Sequence, residues 1–167
     1  MDPKAAALLA TTLTFVVCVI AALWYLAPWL RRQPRAAALT ALLWIHAFRH
    51  IALQIFSAQK AGLTVPDDLR DQIAYGDVTG MVLAVLALVA LRARARIAIP
   101  LVWLFVLATT LDLSNALVRG MSADLLGNAH GVAWLILAFY VPVLWTTLAL
   151  IVWQLVTRRT ETLQPAV

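Results

Sequence analysis

Lysine is nearly missing from this chain. Only Lys4 and Lys60 occur, both outside the apolar runs, so no buried amine can form a Schiff base with a cofactor such as retinal. Charge of any sign is scarce. Asp, Glu, Lys and Arg make up 13% of the 167 residues, against about 25% in soluble domains. The one cysteine, Cys18, excludes an internal disulfide, a cysteine-rich zinc site and a thiol relay. Inside an apolar run, it reads as a small packing residue. There is no P-loop and no Rossmann glycine fingerprint. Ser57 and Ser114 lack the context of a nucleophile elbow. The alternating ten-residue strands of a transmembrane barrel are not visible.

What is abundant is apolar surface, with 63% hydrophobic residues. An all-α integral membrane protein follows: a single domain over residues 1–167, with five transmembrane helices at about 5–30, 36–57, 76–91, 97–118 and 129–156. About 20 residues of helix cross the hydrocarbon core, and in lipid only a helix satisfies its own backbone. The third segment is short for a span, and the fifth is long enough to tilt. Pro142, deep in the fifth, predicts a kink. Between residues 58 and 75, Pro66-Asp67-Asp68 reads as the start of a short helix lying on the membrane surface, with Leu69 and Ile73 turned inward.

The net charge of +5 does not point to nucleic acid, because the basic residues sit in short clusters between apolar runs. Arg31, Arg32, Arg35, Arg92, Arg94, Arg96, Arg158 and Arg159 follow the first, third and fifth segments. Lys4, Lys60, Arg70 and Arg119 fall on the other side. By the positive-inside rule the N-terminus is outside and the C-terminus cytoplasmic, in the setting expected to be a bacterial inner (plasma) membrane. The first segment is not a cleavable signal, since its arginines follow the apolar run. Trp24, Trp29 and Trp153 fit an interfacial belt.

Polar residues inside the spans are the functional clue, because buried ionisable groups in lipid are costly and face a bundle interior or a wet cavity. His46, Arg49, His50 and Gln54 lie on the second segment, Asp77 on the third, Asp112 and Asn115 on the fourth, and Asn128 and His130 at the start of the fifth. With the chain threaded as above, all reach the outer half. The spacing 46, 50, 54, 57 puts four polar positions on one helix face. Gly76 with Gly80, and Gly127 with Gly131, have the spacing that lets helices approach closely.

His46, Arg49, His50, Gln54, Asp77, Asp112, Asn115 and His130 are therefore the expected lining of a pocket opening outward, near His50, Asp112 and His130. Arg49 cannot be deprotonated and requires a carboxylate partner, Asp112 in preference to the shallower Asp77. The expected partners are the bilayer and a small polar or anionic ligand, bound and in one version transported, with homo-oligomers as one form. Two rivals stand beside this. One is a metal- or haem-dependent membrane oxidoreductase or hydrolase on His46, His50 and His130, although His46 is followed by Ala47 where helical zinc proteases carry glutamate. The other is an accessory subunit whose polar layer only orders the helices. No cofactor is identified by the sequence.

Overall fold

The computed structural model describes residues 2–161, and these form five long helices and one short one. Helix α1 is Pro3–Arg32, α2 Arg35–Lys60, α3 Asp67–Arg92 and α4 Ala98–Ser122. The short α5 is Leu125–Asn128, and α6 is Gly131–Thr157. The five long helices are long and apolar enough to cross a membrane.

Their starts follow from local chemistry. Asp2 caps α1 by accepting from the Ala5 N–H at 3.3 Å. Pro34 and Pro66 precede α2 and α3, and α3 has Asp67 and Asp68 against the positive end of its dipole. No breaker lies between Asp67 and Gly76, so the expected surface helix and the third span are one continuous helix. Leu69 is buried and Ile73 half-buried on its inner side.

Both long helices with an internal proline carry a wide turn just ahead of it. The turns are Ala22–Leu26 before Pro28 and Ile136–Tyr140 before Pro142. Proline lacks an N–H and its ring presses on the carbonyl four residues back. The residue ahead of each proline compensates by bonding five back, Ala27 to Ala22 and Val141 to Ile136. A π-type turn thus absorbs the extra room.

Charges sort to the two ends of the bundle. At one end Lys4 meets Asp124 at 2.7 Å, and Arg119 bonds Asp68 and Gln72. At the other, Arg158 donates to the Leu30 carbonyl at 3.2 Å, to Gln154 Oε1 at 2.9 Å and to the Gln33 carbonyl at 2.9 Å. Arg158 therefore closes the chain ends of α1 and α6 together. The dry core lies toward this arginine-rich end, where Leu39, Leu43, Ala87, Phe105, Ile151 and Leu155 are sealed among α2, α3, α4 and α6.

Candidate functional site

Helix α2 changes character where its polar residues begin. From Arg49 to Leu53 it tightens into a 3-10 turn, with three residues per turn instead of 3.6. The buried face accordingly steps by three: His46, Arg49, Ala52 and Ile55 are inside. His50, Gln54 and Ser57 are all exposed, so the four-residue spacing does not mark one face here. The expectation fails because it assumed an unbroken α-helix.

Arg49 is the centre. Its side chain is 0% exposed. Nε donates to Asp77 Oδ1 at 2.6 Å, Nη2 to Asp112 Oδ2 at 2.5 Å and Nη1 to Thr109 Oγ1 at 3.0 Å. Both carboxylates are partners, not Asp112 in preference to Asp77. Such charge-assisted bonds are the strong kind, and they join α2, α3 and α4. Two glycines make room. A Cβ at Gly80 would lie 2.8 Å from Arg49 Cζ, and one at Gly76 would lie 2.6 Å from Asp112 Cγ. Their spacing thus accommodates the ion cluster. Gly127 and Gly131 instead fall on different elements, and Gly131, at φ +57°, occupies a backbone region that side chains rarely adopt.

Formal charge at this centre does not balance, since one guanidinium faces two carboxyls. Asp77 and Asp112 are each 15% exposed while Arg49 is sealed. Asp77 Oδ2 and Asp112 Oδ1 accept no hydrogen bond among the described residues. Both aspartates line a cavity of about 370 Å³ on the Lys4–Asp124 side of the cluster. Tyr140 lines it as well and donates to the Ile45 carbonyl at 2.7 Å. The walls are otherwise largely apolar, including Ile55, Ile73, Leu117 and Ile136, and Lys4, Asp124 and Met121 sit toward the helix ends. At 1.5 Å per residue the cluster lies roughly 15 Å below those ends.

The other expected pocket residues go elsewhere. His46 is fully buried, edge-on to Phe105 at 4.9 Å between centroids. Its Nε2 lies 3.1 Å from Thr147 Oγ1, and Thr147 itself bonds the Val143 carbonyl at 2.8 Å. His46 Nδ1 is buried with no hydrogen-bond partner among the described residues. His50 Nδ1 turns to the Ala47 carbonyl at 3.3 Å. His130 precedes Gly131 outside the helix, with Nε2 3.3 Å from the Ala61 carbonyl. Neither His50 nor His130 lines the cavity, and Gln54 and Asn115 are exposed on the outside of the bundle. Among the described residues no three His, Cys, Asp or Glu side chains converge as metal ligands, and the three histidines meet three different partners.

Thr109, Thr147 and Tyr140 are the participants that sequence reasoning missed. Thr109 had a signal, since it stands three residues from Asp112 on the same helix face. Tyr140 had none beyond its closeness to Pro142.

The chain belongs to the family described as a domain of unknown function (DUF8737), whose model matches residues 6–156. No curated protein and no solved structure matches the chain. The family match takes in Arg49, Asp77, Thr109, Asp112 and Tyr140, and its description assigns them no activity.

Proposed function

We propose that the chain is an integral membrane protein of the bacterial inner membrane, N-terminus outside, whose outer-half cavity binds a small amphiphilic molecule. The cationic or proton-donating group of that molecule meets Asp77 and Asp112, and its apolar remainder fills the space toward Lys4. The observation that carries this reading is the pair of half-open carboxylates on one sealed guanidinium, at the floor of an apolar cavity. Two carboxyl groups on one guanidinium in a low-dielectric setting leave one to be neutralised, by its own proton or by a cation or donor in the cavity, and a ligand of the second kind is favoured there. The expectation of an anionic ligand on Arg49 loses its support, because no face of that guanidinium reaches the cavity.

Binding is better supported than passage. Beyond the cluster the bundle is dry, with His46, Phe105, Leu148 and Ile151 packed shut. The orientation is checked by reporter fusions: those after Arg35, Arg96 and Arg159 should read cytoplasmic, and those near Lys60 and Ser122 external.

Two probes of one shape and opposite charge test the site. Tetraphenylphosphonium should bind the purified protein about tenfold tighter than tetraphenylborate, a difference of about 1.4 kcal/mol. Asp112→Asn should narrow that gap and still fold, because Asp77 remains to neutralise Arg49. Equal binding of the two probes, or a preference for the borate, would favour a subunit whose cluster only orders the helices.

A further inference from the structure

A second concavity lies at the opposite end of the molecule, on the flank of the bundle. It is a furrow of about 520 Å³ between the start of α2 and the end of α3. On the α2 side Ala37 and Thr40 are too small to fill it, and on the α3 side Val85 and Val89 form the facing wall. From Pro34 to Trp44 it runs roughly 15 Å along α2, at 1.5 Å per residue. Arg92 and Arg94 stand at its arginine-rich end, both exposed.

Arg49, Arg70, Arg119 and Arg158 each hold a carboxylate, whereas Arg92 and Arg94, like Arg31, Arg32, Arg96 and Arg159, hold none among the described residues; of these, Arg92 and Arg94 border the furrow. Arg94 sits at φ 52°, the left-handed position that closes the C-terminus of α3, where the Arg94 N–H bonds the Leu91 carbonyl at 3.1 Å and the Ala95 N–H the Ala90 carbonyl at 2.9 Å. The first N–H groups of α2, which has no side-chain cap, open at the same end and add a partial positive charge.

We propose that this furrow holds one anionic phospholipid, with an acyl chain between α2 and α3 and the phosphate on Arg92 and Arg94. The inference rests on the membrane reading and not on the cavity at Asp77 and Asp112. A second copy of the chain fits less well. Lying parallel in the same membrane, it would bring its own arginines to this level. Its acids stand at the other end or at the Arg49 cluster, apart from Glu161, which is engaged by Arg158.

Native mass spectrometry of the full chain, offered phosphatidylglycerol and phosphatidylcholine of matched chain length, tests the site. The unmodified protein should retain phosphatidylglycerol about tenfold better, in line with two arginines at a lipid surface. The double variant Arg92→Gln/Arg94→Gln should lose that preference. Arg32→Gln/Arg159→Gln removes the same charge from the same end and should keep it. Ala37→Trp should reduce retention of both lipids at unchanged charge, and Ala37 is exposed enough to accept the ring without disturbing the core. The proposal is overturned if the unmodified protein shows no preference. It is equally overturned if the control double variant loses as much as the test pair, or if Ala37→Trp retains both lipids like the parent. Normal reporter-fusion topology alongside any of these results would place the failure in the furrow and not in the membrane reading.

Discussion

The half of the bundle beside Lys4 and Asp124 and the half beside the arginines are held by different interactions. The first is irregular, with the 3-10 turn of α2, a π-type turn in α6, a cavity and an ion cluster in which one guanidinium faces two carboxyl groups. The second is dry, packed from leucine, alanine, valine, isoleucine and one phenylalanine, with the π-type turn of α1 at Ala22–Leu26 as its irregularity, and clamped at its rim by Arg158 and Arg35. Stability and chemistry are thereby separated along the helix axes. The dry half holds the helices together, which frees the other half to keep carboxylates that are only partly satisfied.

The sharpest way to break this division is to strip both acids from Arg49. Asp77→Asn/Asp112→Asn leaves a sealed guanidinium with neutral partners, and loss of a buried ion's partners costs about 3–5 kcal/mol. Thermal unfolding in detergent should show the folded protein nearly lost, whereas either single replacement keeps it. Equal stability of the double and single variants would mean that Arg49 is not held by these acids.

The next effect belongs to the dry half. Ile151→Ala removes a fully buried side chain and should cost about 2 kcal/mol through lost packing. Its binding of tetraphenylphosphonium should be unchanged. A parallel fall in binding would show that the two halves are coupled.

The smallest effect is at the rim. The Arg158 guanidinium beside Glu161 holds that carboxyl below its usual range. Its contribution is therefore present above the unfolded carboxylate pKa of about 4.3 and is lost as pH falls through the lower folded value. Glu161→Gln should lower Tm by about 1 °C near pH 7, the size expected of an exposed pair, and have no effect near pH 2. A loss that persisted at pH 2 would assign Glu161 a packing role.

The helical architecture was legible because apolar runs of this length leave the backbone few alternatives, and the Arg49–carboxylate contact because arginine cannot shed its proton. The phase of α2 was not legible. No glycine or proline marks the 3-10 turn at Arg49–Leu53, so the spacing of His46, His50 and Gln54 suggested a shared face that the tightened turn destroys. The start of α3 at Asp67 is not legible from the apolar runs, because Asp67 to Tyr75 is polar enough to resemble a loop although nothing in it stops a helix. His130 stands at the start of the fifth apolar segment, but the left-handed backbone of Gly131 turns the chain there and leaves the imidazole outside the helix.

The most direct measurement follows tetraphenylphosphonium binding and apparent Tm together in the unmodified protein, Asp112→Asn and Ile151→Ala. Separate halves predict that Asp112→Asn loses about tenfold in binding with little change in Tm, while Ile151→Ala loses Tm and keeps its binding. If both variants lose binding in proportion to their loss of Tm, the cavity at Asp77 and Asp112 has no recognition role apart from the fold, and the account is wrong.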